Sequence, residues 1–178
     1  MSSKSSLKAF REKIARIQGE LRDRIESASC GLDSSPEAIQ ARRLQVSDPV
    51  TGFRFFVNTY FKHHLHHPET SALHEYLYER LPQIVTSPES ENDVIAAPRG
   101  EAKTTLGQQL FDLWCVVLEL KKFIIIAFDT SAQSAESLEV IKAELLYNAG
   151  LALDFPEACG QGRVWRIGCI LTASGIKI

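Results

Sequence analysis

The chain lacks the features that would place it in a membrane, in a disulfide scaffold or on a global nucleic-acid surface. Its longest apolar run, residues 123–128, is far below the roughly 18 residues that a membrane-spanning helix needs. The four cysteines, Cys30, Cys115, Cys159 and Cys169, include no Cys-x-x-Cys pair, which speaks against a zinc knuckle or a disulfide framework and for reduced thiols. Lys and Arg total 20 against 22 Asp and Glu, a net charge of −2, so no overall basic field draws the chain to DNA or anionic lipid. The N-terminus carries Lys4, Lys8 and Arg11 but no apolar core of a secretory signal, and a cytoplasmic, membrane-free protein of the host cell is expected. There is no nucleophile elbow, no pair of catalytic carboxylates at meaningful spacing and no glycine-rich dinucleotide fingerprint.

What is present begins with an apolar stripe. Leu7, Phe10, Ile14, Ile17 and Leu21 recur at spacings of three and four, so residues 1–27 are expected to form an amphipathic helix, either a short coiled coil or an arm laid on the body of the domain. Residues 1–45 hold nine Lys/Arg against six Asp/Glu, too small an excess to argue for DNA. Residues 28–51 are rich in turn formers, with Gly31, Asp33-Ser34-Ser35-Pro36 and Ser47-Asp48-Pro49. They read as a linker with a short helix from Pro36 through Arg43, capped by Ser35.

Residues 52–178 form the main body. Phe53, Phe55, Phe56, Tyr60 and Phe61 concentrate its aromatic content and are expected in the core. A helix is predicted from Ser71 to about Leu81, stopping before Pro82, and residues 93–97 read as a short buried strand. A helix from Thr104 to about Lys121 follows, with Leu106, Leu110, Leu113, Val116, Val117 and Leu120 on one face. Residues 122–128 have the composition of a central parallel strand. Asp129-Thr130-Ser131 caps a helix from about Ala132 to Ala149 that turns Leu138, Ile141, Leu145 and Leu146 inward and ends at Gly150. Residues 163–171 and 176–178 suggest a hairpin turning at Ala173-Ser174-Gly175. This order of elements predicts an α/β domain with parallel strands flanked by helices, preceded by an N-terminal helical arm.

Between the predicted strand and helix lies Ala97-Pro98-Arg99-Gly100-Glu101-Ala102-Lys103-Thr104, followed by Thr105, with the layout of a phosphate-binding loop. Amides at a helix start point toward an anion and the helix dipole adds positive potential; Lys103 reaches the β- and γ-phosphates and the Thr104 hydroxyl ligates Mg²⁺. Both outer glycines of the usual pattern are replaced, by Ala97 and Ala102.

Ala-Ala-Pro-Arg-Gly-Glu-Ala-Lys-Thr-Thr resembles the deviant Walker A loop of phage terminase large subunits. The downstream Ile124-Ile125-Ile126-Ala127-Phe128-Asp129-Thr130-Ser131-Ala132-Gln133-Ser134-Ala135-Glu136 is similar to that family's second strand and following helix start. Tyr60-Phe61, His63-His64, Pro68 and Leu73-His74 are similar to its adenine-contacting entry segment. The likeness runs from about Phe53 to Ile178. It implies a partial P-loop NTPase domain of the RecA/ASCE-like kind over 52–178, with ATP and Mg²⁺ as cofactors. Pro98, Arg99, Gly100, Glu101, Ala102, Lys103, Thr104 and Thr105 would bind phosphate, Thr104 would also hold the nucleotide's Mg²⁺, and His74 would neighbour adenine. Arg99 would act as an arginine finger from within the same subunit. The intact assembly would include double-stranded DNA, the small terminase subunit and the portal protein, with homo-oligomers open to it. No paired Asp-Glu after a later strand and no nuclease domain occur within the 178 residues, so a hydrolysis-deficient fragment is expected.

The cluster His63, His64, His66 and His67, with His74, invites a metal reading, but no Cys or carboxylate stands at ligand spacing and a polar loop is the simpler expectation. Asp129 either approaches the nucleotide or caps the next helix. Two other functions fit the same residues. One is an interaction module whose degenerate loop binds nothing and whose Leu7 to Leu21 stripe recruits a partner. The other is a different P-loop NTPase, such as a helicase-like ATPase.

Overall fold

The computed structural model describes residues 3–28, 31–65, 70–98 and 100–178, and the side chains from residue 8 onward. Cys30, His66, His67, Pro68 and Arg99 lie outside the described residues, as does the Leu7 side chain. Helices dominate: α1 (Ser3–Ala28), α2 (Pro36–Val46), α3 (Gly52–Tyr60), a 3₁₀ turn (Lys62–His64), α4 (Ala72–Thr86), a wide π-helical segment (Thr105–Leu110) running into α5 (Phe111–Val117), α6 (Ser131–Tyr147) and α7 (Ala149–Asp154). Two three-residue strands, β1 (Val164–Arg166) and β2 (Cys169–Leu171), close the chain as an antiparallel hairpin.

The core follows from helical spacing. Phe53, Phe56, Val57 and Tyr60 recur at i, i+3, i+4 and i+7 on α3 and are buried. Phe53 is the hub, with ring centroids 5.7 Å from Tyr78, 5.4 Å from Phe111 and 5.6 Å from Trp114, distances at which aromatic pairs attract beyond simple burial. Trp114 also donates its indole N–H to the Val46 carbonyl at 3.0 Å, joining the end of α2 to α5.

α6 is the central helix. α1 covers one side, packing Leu21 and Ile25 against Ala143 and half-buried Val140 and Tyr147, and the aromatic core covers the other through Leu138, Ile141 and Leu145. The N-terminal stripe is therefore used within the chain, and cross-links from Lys13 to Glu136 and from Gln18 to Glu139 hold it there. Because both sides are covered, Glu139, Lys142 and Glu144 are buried on α6 and each needs an internal partner. Glu139 and Lys142 pair with each other at 2.6 Å, with the ammonium 5.7 Å from the centre of the Trp165 ring.

The expected parallel α/β domain is overturned. The described residues are 59% helical, the antiparallel β1–β2 pair is the only sheet among them, and no parallel-strand P-loop core is present there. Residues 93–97 join no ladder, and Val94 is 96% exposed. In 122–128 a single parallel bridge pairs Phe123 with Lys177. Ile124 and Ile126 pack on the core while Ile125 stays 75% exposed, so the apolar run has one covered face instead of two. An unbroken apolar run reports burial of its members, but strand pairing depends on a distant partner that no local pattern names.

Smaller differences have local causes. α4 continues through Pro82 to Thr86, because Leu81, Pro82 and Val85 are all buried and their packing outweighs the missing amide. The Thr86 hydroxyl donates back to the Pro82 carbonyl at 2.7 Å. Thr130, and neither Asp129 nor Ser131, caps α6 by accepting from the Gln133 amide. Gly150 lies inside α7, which Asn148 caps through the Leu151 amide at 3.0 Å. Leu146, expected inward, is exposed. Residues 163–171 make their own hairpin, and 176–178 return as a third segment bonded to β2 through Ile170 and Ile178.

Gly162 precedes that hairpin at a close backbone approach: a Cβ there would sit 1.7 Å from the Leu171 carbonyl oxygen and 2.8 Å from the Thr172 carbonyl carbon. Backbone atoms cannot swing aside. Gly162→Ala is expected to destabilise the fold by roughly 1–3 kcal/mol, the usual range for overpacking. Urea unfolding would measure it, and an unchanged midpoint would show that the hairpin yields freely.

Candidate functional site

The loop before the π-helical segment gathers the residues singled out for phosphate chemistry. Gly100 has φ +92° and Ala102 φ +49°. The second is a left-handed conformation that opposes an L side chain by roughly 1–2 kcal/mol, so the surrounding turn must hold it. Helical geometry starts at residue 103, and the Leu106 amide donates to the Ala102 carbonyl at 2.8 Å. The amides of the first turn have no carbonyl one turn earlier to bond, which is the local chemistry that makes a helix start receptive to anions.

Lys103 folds over this loop. Its ammonium donates to the Ala97 carbonyl at 2.5 Å and to the Pro98 carbonyl at 2.7 Å, which spans the loop from its end back to its beginning. Thr104 follows on the exposed side and borders a groove of about 340 Å³ with Ile17, Leu21, Gln109, Phe128 and Gln133. That groove brings the end of the 122–128 segment beside the loop. Pro98 and Gly100 are exposed, and Glu101 and Thr105 are half-buried.

His74 joins the same place from α4. Its ring Nε2 donates to the Glu101 carbonyl at 3.2 Å, while its backbone amide is held by the Ser71 cap at 3.3 Å. The sequence-predicted His74 thus meets the loop backbone itself. Asp129 is exposed, one residue beyond Phe128.

A second constellation was missed at the sequence level. His63 and His64, on the 3₁₀ turn after α3, both direct Nε2 at Glu144 Oε1, at 2.6 and 2.9 Å. Asn148 donates to Glu144 Oε2 at 2.8 Å and to the Tyr60 carbonyl at 2.9 Å. The imidazole side chains are 6% and 7% exposed and the carboxylate 0%. Burial lowers the His64 pKa against the pull of Glu144, making it a neutral N–H donor at neutral pH. Burial works to raise the Glu144 carboxyl, but the hydrogen bonds from the two histidines lead the opposing contributions that keep the group below its ordinary value. The adjacent histidines were visible in the sequence; the carboxylate is 80 residues away and nothing local links them.

Among the described residues no helix is long and apolar enough to cross a membrane. No protein-family model, curated protein or solved structure matches the chain.

Proposed function

We propose that residues 97–105 grip the triphosphate of ATP–Mg²⁺ and that the chain is the nucleotide-binding part of a viral DNA-packaging motor ATPase of the terminase large-subunit type. The observation that carries this reading is the Lys103 ammonium held across the mouth of its own loop by the Ala97 and Pro98 carbonyls. An arriving phosphate exchanges two neutral acceptors for charged oxygens, and charge-assisted hydrogen bonds are roughly twice as strong as neutral ones. The anion chemistry resides in the turn and the helix start, which are local, so it does not require a parallel sheet around them.

The Thr104 hydroxyl is a hard oxygen donor that fits Mg²⁺, an ion that usually keeps several waters and arrives on substrate phosphates. The Thr104 groove, with Phe128 and Gln133, has the size of a small ligand site. Double-stranded DNA, a small terminase subunit and a portal protein belong to this proposal as partners of the whole assembly. The competing use of the N-terminal stripe as a recruiting surface is weakened by α1, whose Leu21 and Ile25 are covered by α6.

Titration with a fluorescent ATP analogue tests the assignment. Binding that requires Mg²⁺ is expected, and Lys103→Ala should weaken it about 10- to 100-fold, as loss of a hydrogen bond to a charged group of roughly 1.5–3 kcal/mol predicts. Equal binding by the parent chain and Lys103→Ala would refute the phosphate-loop reading.

A further inference from the structure

The geometry points to a binding site for a zinc-class divalent cation formed by His63 Nε2, His64 Nε2 and the Glu144 carboxylate, with Asn148 as the residue that orients the carboxylate. It is separate from the phosphate loop and holds or fails independently of it.

Consecutive side chains ordinarily diverge. Here the 3₁₀ turn brings the two rings to 4.5 Å between centroids, and both nitrogens meet one oxygen. The three ligand atoms all lie within 4.8 Å of one another. Metal–ligand bonds of about 2.0–2.2 Å in a tetrahedral arrangement need ligand atoms about 3.3 Å apart. The observed 2.6 and 2.9 Å nitrogen–oxygen separations therefore have to open by about 0.4–0.7 Å, and the two ring nitrogens, within 4.8 Å of each other, have to settle at the same spacing, which rotation of the two side chains provides. Two imidazoles with one carboxylate suit zinc, cobalt, nickel or copper, whereas Mg²⁺ and Ca²⁺ prefer an all-oxygen shell.

Three further observations favour a cation. Glu144 is fully buried, and its hydrogen-bond partners among the described residues are two histidines and an amide, with no Lys or Arg, although buried charges are ordinarily paired or bound to metal. The Asn148 bond to Oε2 leaves Oε1 directed at the histidines, which is how metal-binding carboxylates are held from behind. A cavity of about 20 Å³ borders His63 and Asn148, room for one water on the His63 side of the cluster. On binding, two N–H···O bonds give way to two nitrogen–metal bonds and one oxygen–metal bond, with the remaining ring hydrogen of each imidazole on Nδ1. Arg24 of α1 lies near enough to act on His64, and its charge tempers the affinity. The bound ion would clip the turn after α3 to the central helix α6.

The test uses the untagged full-length chain and Co²⁺ as a visible probe. One cobalt per chain, with the intense ligand-field absorption of a four-coordinate ion, is expected, and Zn²⁺ should bleach it by displacement. Zn²⁺ should also raise the thermal midpoint of the parent chain, as any ligand selective for the folded state does. Glu144→Gln and His64→Ala should each weaken binding by about 100-fold or more, since loss of a residue that only supports a ligand already weakens it 10- to 100-fold. The double variant His66→Ala/His67→Ala should bind like the parent. A parent chain that takes up no cobalt at concentrations up to about 1 mM overturns the site without recourse to any variant. So does cobalt binding that survives Glu144→Gln, or binding that disappears with His66 and His67.

Discussion

Arg42→Ala is expected to remove about 3–5 kcal/mol of unfolding free energy at neutral pH, the usual result of stripping one partner from a buried ion pair. Asp154, at the end of α7, is 0% exposed and Arg42 of α2 is 12% exposed. The guanidinium holds both carboxylate oxygens, at 2.6 and 2.7 Å, and the Tyr60 hydroxyl donates to the same group. Arg42 also reaches the Asp33 carbonyl at 2.8 Å, and Arg43 donates to the Asp154 carbonyl at 2.8 Å. With Arg42 gone, the carboxylate keeps only a neutral hydroxyl partner in the interior, so the loss reflects a stranded charge more than a missing bond. Replacing both members, Arg42→Met with Asp154→Leu, should recover most of the deficit, because apolar pairs of similar volume often match a buried ion pair. Urea denaturation of the three chains would decide; a loss below about 1 kcal/mol in Arg42→Ala would mean that the pair behaves as a surface one.

The second large effect is a pH dependence located at Asp112. This α5 carboxyl is buried, its Oδ2 has no hydrogen-bond partner among the described residues, and burial alone pushes its pKa from 3.8 up to about 7. The sign follows from proton counting. Below about pH 4 both folded and unfolded chains are protonated there and the group is neutral to stability. Between about pH 4 and 7 the unfolded chain releases the proton while the folded chain keeps it, so stability falls by about 1.4 kcal/mol per pH unit. The total approaches about 4 kcal/mol above pH 7. The neighbouring Cys115 thiol, itself pushed up to about 12 by burial and by the Asp112 charge, stays neutral throughout this range and does not titrate with it.

Asp112→Asn removes the titrating group and should flatten this part of the stability profile. At pH 8 it should be more stable than the parent by about 1–3 kcal/mol, less than the whole penalty because a buried amide without partners carries its own cost. Midpoints measured from pH 4 to 8 check both points. Parallel profiles for parent and variant would place the pH dependence elsewhere.

Helix positions were legible because their signals are local. The period of three and four from Phe10 to Leu21 belongs to a helix in any setting, and α1 carries it from Ser3 to Ala28. Pro36 behind Ser35 began α2, as the preference for proline at a first helical position requires. Helix stops were read less well. Pro82 and Gly150 have the chemistry of terminators, yet burial around one and an Asn148 cap before the other carried the helix past them. The strands failed for a different reason: whether residues 93–97 or 122–128 pair depends on what lies beside them, and their own composition does not record it.

The loop from Ala97 to Thr104 was visible as a motif because turn, lysine and hydroxyl follow one another along the chain. By itself the sequence determined the helical stripes, the glycine and lysine spacing of that loop and the absence of a membrane-length apolar segment, all properties that act over a few residues. Tertiary structure decided that α1 folds back on α6, that Lys103 bridges its own loop, that Arg42 meets Asp154, and that two neighbouring histidines share Glu144. Those contacts join residues up to 123 positions apart, and their partners are selected by the packing of whole helices around a common core, which no local spacing encodes.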